Sequence, residues 1–215
     1  PSGGDRICNR DFADFIQTQI VEDIRQTMMP TWQKRHLMHQ SMSETRNPKV
    51  PSTIIELLSH HNYYDMTFGL DPKFKFIASR AIYKGMLRFI HQTTGTPYVV
   101  QPLPVQQMNI SYANNDSLHI TWAERVDRLE PTATPTYYII YTRTSQLRDG
   151  QWQTSDWDNG IRVTTPHATL PIQRGVKYDI MVRAGNDGGV SLPSEVLSAY
   201  IDAKYDNKLA LIING

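Results

Sequence analysis

The stretch LPIQRGVKYDIMVRAGNDGGVSLPSE, residues 170–195, decides the fold of the second half of the chain. Apolar and polar residues alternate from Val176 to Ala184, which predicts a half-buried β-strand. Turn-forming residues, QRG and GNDGG, bound the strand on both sides. Further runs with this period lie on either side of it: QQMNISY, SLHITW, TYYIIYTRT, IRVTT, HATLPI and VLSAYI. Short strands at this spacing predict an all-β sandwich.

Particular side chains within these strands extend the argument to a known module. Trp122 lies in LHITW, Tyr178 follows the QRG turn, and SLPSE precedes the last strand. This pattern resembles a fibronectin type III domain over about residues 101–203, and we assign that domain to residues 96–203. The resemblance implies that Trp122 fills the space between two sheets and that the Tyr178 hydroxyl closes a corner. It implies a spacer or contact module, although fold alone does not define function.

Two tryptophans, Trp152 and Trp157, lie in the polar stretch GQWQTSDWDNG. They could form a platform on which a sugar ring stacks, or they could pack against the sandwich. We expect packing.

The first 95 residues have a different period, 3.6, which predicts helices. NRDFADFIQTQIVEDIRQTM places an apolar stripe on one helix, which Asn9 or Asp11 caps and Pro30 stops. A second helix opens at Asp71–Pro72 and continues through RAIYKGMLRF. Between them we expect strands in HQSMSETR and around Ile54. This order predicts a partial α/β layer over residues 1–95.

The segment ETRNPKVPSTIIELLSHHN, residues 44–62, contains the candidate site. Thr53–Ile55 is predicted to be a short buried strand, and Glu56 follows it directly. A carboxylate at the end of a buried strand needs a partner or a chemical role. From the residues alone, Glu56 either pairs with Arg46 or accepts a proton in catalysis. Both can hold, because a nearby arginine keeps the carboxylate ionised.

This segment and the following helix are similar to the C-terminal part of bacterial zinc-dependent N-acetylmuramoyl-L-alanine amidases, over about residues 9–92. Arg46, Pro51, Glu56 and RAIYKGMLRF stand at corresponding spacings. LLSHHN differs from the Gly-Phe and Ser-Asn that commonly follow in the family, with Asn62 matching the Asn. The resemblance implies that Glu56 is the catalytic proton carrier beside a zinc-bound water, and that Arg46 orients substrate or carboxylate.

The zinc ligands of that family lie upstream of the helix that opens this chain. We therefore expect zinc in a larger parent protein and no cofactor in these 215 residues. The histidine clusters do not replace them. His36 and His39 with Glu44 nearby, and the adjacent His60 and His61, lack the spacing of the helical zinc motif.

Composition excludes several classes of function. A net charge of +1 argues against a nucleic-acid binder, and no apolar run is long enough to span a bilayer. A single cysteine excludes an internal disulfide. The run LALII, in residues 204–215, is predicted to begin a further domain or a tail rather than join the sandwich.

We therefore expect this chain to be a fragment of an extracellular, periplasmic or cell-surface hydrolase, and we expect the complete parent protein to cleave peptidoglycan. Two alternatives remain open: a non-catalytic adhesion or carbohydrate-binding scaffold that contacts a cell-surface glycan, and a lyase-type polysaccharide enzyme with its chemistry in other domains. An incomplete first domain exposes apolar surface, so we also expect self-association.

Overall fold

The computed structural model describes residues 6–38, 40, 42–114, 116–203 and 209–213. The chain divides into two compact units, residues 1–98 and 99–215. This division falls close to the predicted boundary at residue 95. No helix among these described residues has the length and apolar character needed to cross a membrane.

The first unit is helical. Its elements are α1 (Arg6–Thr27), α2 (Ser43–Arg46), α3 (Tyr63–Leu70) and α4 (Pro72–Thr94). Helices α1 and α4 pack together through one apolar stripe from each. The buried members of this helical core are Ile16, Ile20, Ile24, Phe74, Ile77, Ala78 and Ala81.

The start of α4 follows the predicted local chemistry. The Asp71 side chain accepts a hydrogen bond from the Lys73 backbone N–H at 2.8 Å, and Pro72 occupies the first turn. Gly95 ends the helix in the left-handed region at φ 73°, a conformation that glycine adopts without strain. The predicted opening at Asp71–Pro72 is therefore confirmed.

The predicted start of α1 is wrong. The helix begins at Arg6, so Asn9 and Asp11 lie inside it and cannot cap it. Asn9 instead accepts a hydrogen bond from the Ser52 backbone N–H at 3.2 Å, which ties the loop after α2 to α1. The helix ends at Thr27, ahead of Pro30 as expected.

The strands predicted in the first unit are also wrong. HQSMSETR contains the short helix α2, and Thr53–Ile55 is extended but pairs with no strand among the described residues of this unit. Ile54 and Ile55 are 42% and 38% exposed rather than buried. A strand needs a neighbouring strand to bond its backbone. The described residues 6–98 therefore form a helical unit and not the predicted partial α/β layer.

The second unit is an antiparallel β-sandwich. One sheet has the order β1 (Gln106–Asn114), β2 (Ser117–Ala123), β6 (His167–Pro171). The other contains β10 (Leu209–Ile213), β9 (Leu197–Ile201), β7 (Val176–Asn186), β3 (Tyr137–Arg148) and β4 (Gln151–Thr154) in that order. Two short strands pair at its margins: β5 (Ile161–Val163) with β3 and β8 (Gly189–Val190) with β7.

The sandwich core and corner agree with the sequence. Trp122 is 5% exposed between the sheets and contacts Tyr138 edge to face at 5.4 Å. The Tyr178 hydroxyl accepts a hydrogen bond from the Gln173 backbone N–H at 2.9 Å, which closes the predicted corner. The predicted β-sandwich is therefore confirmed.

The last described segment differs from expectation. Strand β10 pairs antiparallel with β9, with Leu209 opposite Ile201 and Ile213 opposite Leu197. The expectation that this run does not join the sandwich is corrected. The physical reason is that β9 offers an unpaired edge, and an apolar extended run bonds its backbone by adding to it.

Candidate functional site

The segment that contains Glu56, residues 51–59, lies extended against the helices. Leu57 and Leu58 pack on the helical core. Ser52 is bonded to Asn9 at one end, and the Ser59 backbone N–H donates to the Asp65 carboxylate at 2.8 Å at the other. Between these anchors, the backbone of residues 55–58 forms no hydrogen bond with any described residue.

Glu56 itself is exposed, and so is Arg46 at the last position of α2. Within the described part of the chain, no ion pair or hydrogen bond joins the two side chains. The structure therefore presents Glu56 as an open carboxylate and does not bring Arg46 to it. Asn62, which the resemblance matches to the family's Asn, caps α3 by accepting a hydrogen bond from the Tyr64 backbone N–H at 3.0 Å.

The other candidate ligands do not assemble into a metal site. His36 and Glu44 are exposed, and His39 lies outside the described residues. His60 and His61 are exposed on the turn before α3, with ring centroids 3.9 Å apart. Across the described ranges, no group of three or more histidine, cysteine or acidic side chains could hold a metal ion. The residues present therefore do not fit the zinc that the resemblance implies.

A buried ion pair between α1 and α4 was not foreseen. Lys84 Nζ lies 2.7 Å from Asp23 Oδ2, and their side chains are 1% and 3% exposed. Gln19 Nε2 also donates to Asp23 Oδ1 at 2.9 Å. The burial of Lys84 could have been predicted from helical spacing, because Lys84 shares a face with the buried Ile77 and Ala81.

This ion pair has a structural role. Lys84 directly precedes Gly85, where the two helices come so close that a Cβ on Gly85 would stand 2.7 Å from Ile16 Cα. A buried charge persists only where a counter-charge and hydrogen bonds compensate its lost hydration. Because both side chains are enclosed, the pair fixes how α1 meets α4 and is closed to substrate.

The sandwich has its own polar cluster on the outer face of the larger sheet. Asp179 accepts hydrogen bonds from Ser198 at 2.5 Å, Arg143 at 2.9 Å and Lys177 at 3.1 Å. Burial by itself would raise the pKa of Asp179, but the bonds from Ser198, Arg143 and Lys177 outweigh it and hold the pKa below its usual value. The cluster links β3, β7 and β9 across the sheet.

Trp152 and Trp157 lie in different environments. Trp157 is half-buried under the Arg143 guanidinium, at 4.8 Å from its ring centroid, so the predicted packing is confirmed for it. Trp152 is 51% exposed and meets Tyr200 edge to face at 5.9 Å. Because Arg143 covers one face of Trp157, only Trp152 of these two tryptophans is strongly exposed.

The strand order, the inter-sheet tryptophan and the tyrosine corner define the second unit as a fibronectin type III-like sandwich. No protein-family model matches the chain, and no curated protein matches it. Among solved structures, this chain is similar to the twitchin kinase region from C. elegans. The two share 19% identity over 50% of this chain and 18% of that one, at a TM-score of 0.39. Titin domains A168–A170 share 24% identity over 45% of this chain and 30% of theirs, at 0.32.

The fn3 domain of the human collagen alpha-1(XX) chain is covered almost entirely, at 98%, with 18% identity over 53% of this chain and a TM-score of 0.35. The chain spans less than a third of the length of the twitchin and titin structures. Likeness at these scores describes shape and says nothing of activity. The amidase resemblance of the first unit has no support from these neighbours.

Proposed function

We propose that this chain is part of a cell-wall hydrolase whose complete catalytic domain cleaves the N-acetylmuramoyl-L-alanine amide bond of peptidoglycan. The first unit is the C-terminal portion of that domain, and the sandwich is a spacer. The supporting observation is the segment at residues 51–59, which lies extended and whose backbone at residues 55–58 forms no hydrogen bond with any described residue. Backbone groups in such a segment are satisfied when it enters a β-sheet.

A second feature of the first unit supports the same proposal. Besides the face that packs on α1, α4 has another apolar face, where Phe76, Met86 and Ile90 are 49%, 38% and 43% exposed. A helix that is apolar on both sides belongs to the interior of a larger domain. A sheet that included residues 53–58 and rested on α4 would cover both surfaces.

In that complete domain, Glu56 is proposed as the general base that accepts a proton from the attacking water. Its exposure within the extended segment leaves it open to substrate. Arg46 is proposed to orient substrate or the carboxylate once the domain is assembled. The zinc ligands would come from outside these 215 residues, so we expect no activity and no catalytic zinc beside Glu56 in this chain by itself.

The test uses the gene product extended upstream of Pro1. Glu56→Gln keeps the side-chain shape but removes the base, so turnover of peptidoglycan should fall about a hundred- to ten-thousand-fold. The melting temperature should not change, because Glu56 is exposed. Glu44→Gln, at another exposed carboxylate of the same unit, is the matched control and should keep full activity. Retention of activity in Glu56→Gln would refute the catalytic role.

A second candidate is a non-catalytic surface scaffold that binds a cell-wall or surface glycan. It is favoured by the open ring of Trp152. Sedimentation of this chain with purified peptidoglycan, compared between the wild type and Trp152→Ala, tests it. Activity that survives Glu56→Gln in the extended protein would instead favour a polysaccharide lyase acting through another domain. Each of these functions implies an extracellular, periplasmic or cell-surface location.

The same exposed surfaces support self-association of the isolated chain. Of the large apolar residues that are strongly exposed, most lie in the first unit. Sedimentation velocity over a concentration series should show dimers or larger species, whereas a strictly monomeric chain would contradict this proposal.

A further inference from the structure

The outer face of the three-stranded sheet contains two neighbouring histidines. His119 lies on β2 and His167 on β6. In the antiparallel register, His119 is opposite Thr169 and His167 is opposite Thr121, so the histidines are diagonal neighbours on one face. Their ring centroids are 5.9 Å apart and their planes meet at 42°.

Both imidazoles have nitrogen available for a ligand. His119 Nδ1 lies 3.3 Å from the Thr169 hydroxyl, which leaves Nε2 without a hydrogen-bond partner among the described residues. The His167 ring makes no hydrogen bond to any residue that the structure describes, and it is exposed. The adjoining positions of this face, Asn109 and Ser111 on β1, are uncharged, so no neighbouring lysine or arginine on these three strands repels a cation.

We propose that His119 and His167 chelate one divalent transition-metal ion. Imidazole nitrogen suits Zn²⁺, Ni²⁺ and Cu²⁺. With metal–nitrogen bonds of about 2.1 Å, two imidazoles on one ion have centroids roughly 5–6 Å apart. The observed separation of 5.9 Å is within that range. Water completes the coordination. This site is independent of the proposed hydrolase function.

The strand register makes this pair different from His60 and His61, whose rings are also neighbours. Diagonal positions on paired strands are held by the hydrogen-bonded ladder, so little conformational entropy is lost when both rings bind one ion. His60 and His61 are sequence neighbours on a turn, and their centroids are only 3.9 Å apart. That is closer than two rings on one ion, so this second pair provides a matched control.

Calorimetric titration of the full chain with NiCl₂ in a non-chelating buffer tests the proposal. We expect one Ni²⁺ per chain, with an affinity that falls by about tenfold or more in His119→Asn and in His167→Asn, because each loses one of two protein ligands. The double variant H60N/H61N should bind as the wild type does. An unchanged affinity in either single variant, or loss of binding in H60N/H61N, would overturn the site.

A spectroscopic measurement keeps the test independent of how the variants fold. Substoichiometric Cu²⁺ added to the unaltered chain should first broaden the imidazole proton signals of His119 and His167. Broadening that begins at His60 and His61, or that affects all histidines equally, would refute the proposal.

Discussion

Replacing Lys84 by methionine should strongly destabilise the first unit. The substitution preserves most of the side-chain volume but removes the ammonium that lies 2.7 Å from Asp23 Oδ2. Asp23, at 3% exposure, is then a buried carboxylate whose remaining bond comes from Gln19 Nε2 at 2.9 Å. The reciprocal change, Asp23→Leu, removes the carboxylate from beside a buried ammonium.

The magnitude follows from the burial of both groups. Breaking a buried ion pair by removing one partner costs about 3–5 kcal/mol, because the other charge is left uncompensated. Replacing both partners by apolar residues is often neutral or stabilising. In the double variant D23L/K84M, however, Gln19 Nε2 loses its acceptor, which costs about 1–3 kcal/mol. We therefore expect the double variant to be more stable than either single variant.

Urea unfolding followed by far-ultraviolet circular dichroism measures this cycle. Every α-helix among the described residues lies in the first unit, so the helical signal reports that unit separately from the sandwich. Trp32 packs on the helical core, so both measurements use a Trp32→Phe background. Tryptophan fluorescence then reports the sandwich, serves as an internal control and should not shift. Additive losses in the double variant, or single losses below about 1 kcal/mol, would refute the buried pair, since exposed pairs contribute about that much at most.

Three further predictions concern packing, the corner and acid stability. Gly85→Ala should destabilise the first unit by about 1–3 kcal/mol, because the new Cβ meets Ile16 Cα at 2.7 Å. This loss exceeds the gain of about 1 kcal/mol in helix propensity. A variant that is more stable in urea would contradict that close approach. Tyr178→Phe should cost the sandwich about 0.5–1.5 kcal/mol by removing the acceptor of the Gln173 N–H, and an unchanged fluorescence midpoint would argue against the corner. The lowered pKa of Asp179 stabilises the sandwich above the unfolded-state pKa of about 3.9, and this contribution is lost as the pH falls through the lower folded-state pKa. Urea midpoints should therefore fall more steeply between about pH 4 and 2 in the wild type than in Asp179→Asn, and equal slopes would exclude Asp179 as the cause.

Much of the sandwich could be predicted from its sequence. Each strand buries one face, so the alternation from Val176 to Ala184 predicted both the strand and its orientation. The roles of Trp122 and Tyr178 were expected from the resemblance to fibronectin type III domains, and the structure places both side chains accordingly. The start of α4 was predictable from local chemistry, since Asp71 acts within one helical turn.

The candidate site was less predictable. An apolar run such as Thr53–Ile55 is compatible with a strand, but strand formation depends on a partner that periodicity does not reveal. In the structure, this run is extended and half-exposed, and the exposed Glu56 carboxylate forms no ion pair with Arg46. The role of Glu56 therefore depends on which sheet, if any, that run joins.

The sequence by itself determined which residues turn inward along each helix and strand, because burial on one face imposes a local period. Only the tertiary structure decided the pairings: Lys84 with Asp23, β10 with β9, and His119 beside His167. Lys84 and Asp23 are 61 residues apart in the chain, and no local pattern specifies which distant group a side chain will meet. Such contacts are set by the angle and register at which whole elements pack, since these fix every cross-element distance at once.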